Sequence, residues 1–442
     1  MPNDFEIYFR EDATFNQIAD VERALVAIGP GPVDQEDGFF AATLNWGTTS
    51  RDRANLKGHL NRAANIVVAV ELAGAAEVAL DTNFWGRAFT DMIRQTTQTA
   101  WGNWVLNPAV LPGAVGILDP ATASFTHVAT IPDAKIITLS APEAWVLESS
   151  SVRQTESEVD FKGGYLDPSS GKEVNVGLDV VWTFSREGSL SSNATMTGRS
   201  LVDSFGLLMH QHFDWLLEQA RSVGYATRDG GIRQGFGMIT GVQICQGGIN
   251  IGSLNENSSF SLVGSIDGVN AMTGGGEIKA SVKGSYKETN KSKAFESHLW
   301  PSEADKAASH ELGLVYQFAT FAGKLIMPTW IQPIDGFRVI FDNAHGGTYI
   351  GKCAVEYMTP DSSGSHSLET SVPGGQIHSL DGIPLDAYDL KINIHFVAGD
   401  DFHFSFDSPL STWLTGQCTV DLSGVWPWGS HAKIRESYSG LN

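Results

Sequence analysis

The chain predicts an α+β fold, β-rich and multi-domain, in which a central twisted antiparallel sheet with helices leads into a C-terminal β-sandwich. Three observations point there. Short alternations of apolar and polar residues recur along most of the 442 residues, a length too great for one typical domain. The 47 glycines fall between those segments without a period, which marks turns. Helical spacing interrupts the alternation in only a few places. With 42% hydrophobic and 18% charged residues, several cores can be filled. The expected division is an N-terminal α/β region over 1–112, a central sheet-and-helix region over 113–336 and the sandwich over 337–442.

The elements follow in order. Phe5 to Phe9 alternates as a strand, and Ile18, Val21, Leu25 and Ile28 place a helix over Phe15 to Ile28, stopped by Gly29-Pro-Gly-Pro. Phe39 to Trp46 and Asn65 to Leu72 read as strands around a polar helix at Arg51 to Ala64. A further helix is expected from Asn83 to Trp101, with Trp85, Phe89, Met92 and Ile93 on one face. Short β segments then occupy Ser124–Ile131, Ala134–Ser140, Glu158–Gly163 and Val174–Phe184. Phe205, Leu208, His212, Leu216 and Ala220 predict one long helix over Leu201 to Val223, after which strands resume.

Asn257 to Thr289 is unusually regular. Phe260, Leu262, Gly264 and Ile266 alternate with Ser259, Ser261, Val263 and Ser265. Ile278, Ala280, Val282, Gly284 and Tyr286 alternate with Lys279, Ser281, Lys283, Ser285 and Lys287. The pattern predicts an amphipathic β-hairpin with a glycine-rich tip over Asp267 to Gly276. A barrel strand that spans a bilayer needs roughly 9 to 11 residues with one apolar face, and each arm meets that requirement. Phe260, Leu262, Ile266, Ile278, Val282 and Tyr286 are the candidate membrane-insertion residues. Lys279, Lys283 and Lys287 are the candidates for contact with anionic lipid. Any half-exposed hairpin also alternates in this way.

A net charge of −21 argues against nucleic acid as a partner. Cys245, Cys353 and Cys418 are odd in number and widely spaced, so buried thiols are expected, with neither a disulfide frame nor a zinc site. The opening Met1-Pro-Asn-Asp-Phe-Glu lacks the apolar run of an ordinary secretory signal. The expectation is a soluble chain, cytoplasmic or released by a non-classical route, that acts at a membrane.

From Phe337 the order of segments resembles the C-terminal β-sandwich of the thiol-activated, or cholesterol-dependent, cytolysins. The residues that carry this are Asn343-Ala-His-Gly-Gly-Thr-Tyr-Ile350 running into Gly351-Lys-Cys-Ala-Val-Glu-Tyr357, then Ile383 to Ile394, Phe402 to Leu410 and Cys418 to Trp428. In that family the loops at one end of the sandwich touch membrane through a Trp-rich loop and a Thr-Leu pair. Here Ala398-Gly-Asp-Asp-Phe-His-Phe404 lacks Trp, and Val425-Trp426 stands where the pair would be, so sterol recognition is not implied. Phe402, Phe404, Trp426 and Trp428, with Trp413, remain candidate interface aromatics. The central region resembles gasdermin- and perforin-type pore-forming domains in general form. What the resemblance implies is a toxin or defence effector that forms pores by oligomerisation and hairpin insertion, with a lipid membrane or membrane receptor as partner and a homo-oligomer as the active state. The alternative is a non-lytic scaffold whose sandwich binds a partner or glycan.

No cofactor, metal site or enzyme is nominated. His210 and His212 are two apart in the expected helix and point to different faces. Asp342, His345 and Asp400-Asp401 lie in turn-like sequence. Gly230-Gly-Ile-Arg-Gln-Gly-Phe-Gly237 lacks the lysine and helix of a phosphate loop.

Overall fold

The computed structural model describes residues 3–9, 13–29, 33–36, 39–45, 50–72, 84–160, 176–274, 286–288, 295–301, 311–345, 347–361 and 364–435. At the N-terminus are β1 (Asn3–Phe9), α1 (Phe15–Ile28), β2 (Val33–Glu36), β3 (Phe39–Leu44), α2 (Ser50–Leu60) and β4 (Val67–Leu72), with the strands in the order β2-β3-β1-β4. Phe5, Ile7 and Phe9 alternate into a core with Val21 and Leu25 of α1. A capping box between Thr14 and Gln17 starts α1 where the apolar spacing begins.

The central elements are α3 (Phe84–Arg94), β5 (Trp101–Gly102), β6 (Ala114–Asp119), β7 (Ser124–Thr130), β8 (Ile136–Glu148), β9 (Val152–Asp160), β10 (Val176–Phe184) and β11 (Leu190–Val202). They continue through α4 (Phe205–Gln211), α5 (Phe213–Ser222), β12 (Phe236–Ser253), β13 (Ser258–Ser265), α6 (Ile266–Thr273), β14 (Tyr286–Glu288), β15 (Phe295–Trp300), β16 (Leu312–Ala322) and β17 (Leu325–Met327). A large antiparallel sheet has the main order β17-β16-β12-β11-β8, with β6 and β15 also paired to β12, β5 to β16 and β7 to β6. Two excursions leave this sheet, one between β8 and β11 and one between β12 and β16. They meet in a smaller sheet, β14-β13-β10-β9.

Three sequence expectations change here. The helix expected from Asn83 to Trp101 ends at Arg94, and Trp101 enters β5, where its indole donates to the Trp330 carbonyl at 2.7 Å. The helix expected from Leu201 to Val223 is two helices. Leu201 and Val202 still pair in β11, Ser204 takes a left-handed φ of 50°, and His212 separates α4 from α5. The glycine-rich tip expected from Asp267 begins instead as α6. Val269 and Met272, one helical turn apart, are fully buried there, and that burial outweighs weak helix propensity.

The sandwich comprises β18 (Phe337–Asp342), β19 (Gly351–Met358), β20 (His366–Val372), β21 (Ile377–Ile383), β22 (Tyr388–Phe396), β23 (Asp401–Phe406), β24 (Gln417–Gly424) and β25 (Ser430–Ile434). Its sheets are ordered β21-β18-β24-β25 and β20-β19-β22-β23. All pairs are antiparallel except β18 with β24, which is parallel. Cys353, Val355 and Tyr357 meet Leu390, Ile392, Ile394 and Phe396 in the shared core, as the period-2 pattern requires. The β-rich, multi-domain α+β class stands, with its central antiparallel sheet and C-terminal sandwich.

Candidate membrane-contact site

Three chain reversals meet at one end of the sandwich: 347–350 ahead of β19, Val397 to Asp400 between β22 and β23, and Val425 to Gly429 between β24 and β25. Backbone and hydroxyl groups tie them together. The Val397 amide donates to the Ile350 carbonyl at 2.9 Å, and the Thr348 amide donates to the Gly424 carbonyl at 2.9 Å. The Trp426 amide donates to Thr348 Oγ1 at 2.9 Å, and the Asp400 amide donates to Ser430 Oγ at 2.8 Å. Glycine is needed twice for this closeness. A Cβ on Gly399 would lie 2.6 Å from Ser430 Oγ, and one on Gly424, whose φ is +118°, would lie 2.2 Å from the Gly429 carbonyl oxygen.

These bonds hold apolar side chains in water. Trp428 is 82% exposed and Trp426 63%, and Ile350, Val397 and Val425 are exposed beside them. A contiguous cluster of this kind marks an interaction surface, and Trp suits a membrane interface because its body is apolar and its indole N–H is polar. Asp400 and Asp401 are exposed on the neighbouring turn, and Asp401 Oδ1 lies 2.6 Å from His395 Nδ1.

The structure divides the expected aromatic surface. Trp426 and Trp428 are on it. Phe402 and Phe404 are half-buried against the sandwich core, with Phe402 edge-on to Phe396 at 5.9 Å, and Trp413 is fully buried between Phe337 and Phe406. Sequence reasoning missed Ile350 and Val397. The available signal was a bulky aliphatic residue beside turn residues, a position that packing seldom requires to be apolar.

The expected insertion residues are in a different environment. Phe260 and Leu262 are buried with Val180, Trp182, Phe184, Ile249 and Ile251. Ile266 is exposed at the start of α6. Tyr286 and Lys287 pair in register with Gly264 and Val263. Ile278, Val282, Lys279 and Lys283 lie outside the described residues. The other partner of β13 is β10, whose Leu178, Val180, Trp182 and Phe184 also alternate with polar or smaller neighbours. Sequence reading gave β10 no special role. Its alternation was the overlooked signal.

α6 lies against the junction of the two sheets. Thr195 Oγ1 donates to the Asn270 carbonyl at 3.3 Å, and a Cβ on Gly274 would be 2.8 Å from the Ala194 carbonyl and 3.1 Å from the Ala144 Cβ. At the far edge, β8 pairs with β11 on one side only among the described residues. Its residues from Ile136 to Ala144 are exposed on both faces, including Ile136, Ile137 and Leu139. An open edge of this length is a template for strand pairing.

The groups set aside on sequence have structural work. Asn343 Nδ2 donates to the Tyr349 and Val372 carbonyls at 2.9 and 3.2 Å. Arg435 bonds both Asp342 and Asp421 and so pins β25. The His212 backbone joins α4 to α5, and its Nε2 lies 3.8 Å from Asp133 Oδ2. Among the described residues no group of three or more His, Cys, Asp or Glu could hold a metal. No helix among them is long and apolar enough to cross a membrane. Cys245, Cys353 and Cys418 are free and buried, and burial pushes their thiols up to about 12.

No protein-family model and no curated protein matches the sequence. Among solved structures the chain is similar to an NMR structure of a protein from Eubacterium rectale, at 11% identity and a TM-score of 0.17, covering 24% of this chain and 97% of that one. It is also similar to a structure described as a trapped toxin, at 9% identity and a TM-score of 0.18 over 77% of this chain and 87% of that one. The human-specific toxin intermedilysin follows at 10% identity and a TM-score of 0.17, over 76% and 87%. Likeness this distant carries no argument about this chain, whose function has to come from its own residues.

Proposed function

We propose that this chain is a non-enzymatic, membrane-directed pore-forming toxin or defence effector that acts by oligomerisation and β-hairpin insertion. The observation that carries the reading is the preformed cluster of Trp426, Trp428, Val425, Ile350 and Val397, held in water by inter-turn hydrogen bonds. Full transfer of one large apolar side chain from water is worth roughly 1.5–3 kcal/mol, so five together can anchor a protein to a bilayer surface. The open β8 edge supports assembly of copies through strand pairing. The paired, alternating β10 and β13 support insertion, because each has an apolar face that lipid could replace once α6 is displaced.

Dye release from phospholipid vesicles tests the proposal, with and without sterol, with and without anionic lipid, and with and without limited proteolysis of the protein. Leakage accompanied by ring- or arc-shaped oligomers is expected. Absence of leakage from every mixture would remove it.

A further inference from the structure

The outer face of the β20-β19-β22-β23 sheet carries an open cleft of about 550 Å³ that membrane contact leaves unused. Strand register explains its shape. One cross-strand row runs Ser371, Lys352, His395, Asp401, and the next runs Glu369, Ala354, Asn393, His403. Ala354 is the short member, so a dip forms between longer polar neighbours.

Several of those neighbours are held in place. His395 Nδ1 lies 2.6 Å from Asp401 Oδ1, and His403 Nδ1 lies 2.8 Å from Asn393 Oδ1, while Asn393 Nδ2 donates to Glu356 Oε1 at 3.1 Å. Each imidazole therefore has one nitrogen engaged, and its Nε2 has no partner among the described residues. Lys352 and Glu369 likewise form no ion pair among them. The cleft thus combines a free ammonium, a free carboxylate and two oriented imidazoles on a rigid sheet.

We infer that this cleft binds a neutral sugar, such as the terminal unit of a glycan. Lys352 is outnumbered by Glu369 and Asp401, which disfavours an anion. No group of three or more His, Cys, Asp or Glu among the described residues could hold a metal ion there, which disfavours a metal cation. A sugar hydroxyl both donates and accepts, so adjacent hydroxyls satisfy the ammonium and the carboxylate together. No Phe, Tyr or Trp lines the cleft, so recognition rests on hydrogen bonds and is weak per site, with avidity gained when several copies engage one surface. This inference is independent of pore formation, and its test uses no membrane.

The test is saturation-transfer NMR on the full chain with mannose, galactose, glucose, fucose and N-acetylglucosamine, with sialic acid and spermine as charged comparators. Transfer to at least one neutral sugar is expected, abolished by Ala354→Arg and weakened about tenfold by Glu369→Ala, the value of one hydrogen bond to a charged group. Thermal melting checks that each variant folds, and Lys352→Ala with Glu369→Ala replaces Ala354→Arg if the latter does not. No transfer to any neutral sugar overturns the inference, as does transfer to a comparator alone. A sugar signal that these variants leave intact overturns it too.

Discussion

The end of the sandwich and the small β14-β13-β10-β9 sheet contain similar apolar side chains in opposite states. Trp426 and Trp428 stand in water on hydrogen-bonded turns, whereas Trp182, Phe260 and Leu262 are closed into a core. Under the proposed function, the difference separates two tasks. A surface meant to touch a bilayer can be built in advance on turns, because exposing a few aromatics costs little stability. A strand meant to enter a bilayer has to stay covered until a trigger removes its cover, since an exposed amphipathic hairpin would aggregate.

The sharpest way to break that comparison is to lock the cover. A disulfide between Thr195→Cys and Asn270→Cys, placed where the Thr195 hydroxyl meets the Asn270 carbonyl of α6, should abolish vesicle leakage until a reductant is added. The native thiols are buried with pKa values of about 12 and should leave that reaction undisturbed. Leakage from the oxidised protein equal to that of the wild type would show that α6 does not move.

Next in size is Trp182→Ala, which should lower unfolding stability by about 3–5 kcal/mol through the cavity left in the small sheet, measured by denaturant titration. The double variant Trp426→Ala/Trp428→Ala should do the reverse. Its stability should change by less than about 0.5 kcal/mol, since both side chains are exposed, while vesicle affinity in a sedimentation assay falls at least about tenfold. A large stability loss there would make these residues structural.

The smallest effect concerns pH. Burial alone would raise the Asp342 carboxyl, but hydrogen bonds from Arg435 and the Ala344 amide hold it below the usual carboxylate range. A carboxyl lowered in the folded state stabilises above its unfolded pKa of about 3.9, and this contribution fades as pH falls through the lower folded value. Arg435→Ala should therefore lower the melting temperature at neutral pH, with the difference from wild type shrinking below about pH 4. A constant difference across that range would exclude the ionic contribution.

Much of the fold could be read from residue spacing, and α1 and the alternating sandwich strands show why. Where one face of an element meets a core and the other meets water, period alone identifies it, as with Val21 and Leu25 or with Leu390, Ile392 and Ile394. The α4–α5 break and α6 were not legible, because both depend on distant partners. β11 extends to Val202 because β8 and β12 flank it, and α6 forms because Val269 and Met272 find a surface across two sheets. At the tip, Trp426 and Trp428 stood out by residue type. Ile350 and Val397 did not, because only the meeting of three turns places them beside the tryptophans.

One feature of the long central strand reaches further. β12 supplies Phe236 and Met238 to the core under α5, Ile239, Val242 and Ile244 to the next, Cys245 to the core beneath α3, and Ile249 and Ile251 to the core of the small sheet. It acts as a single beam loaded at four points. At its far end Gly252 lies under the Trp85 ring, where a Cβ would come within 2.6 Å, so α3 is clamped onto the beam beside the small sheet. Bending or twisting β12 at one support therefore shifts the load on the others, and release of the small sheet would be felt mechanically as far as α5.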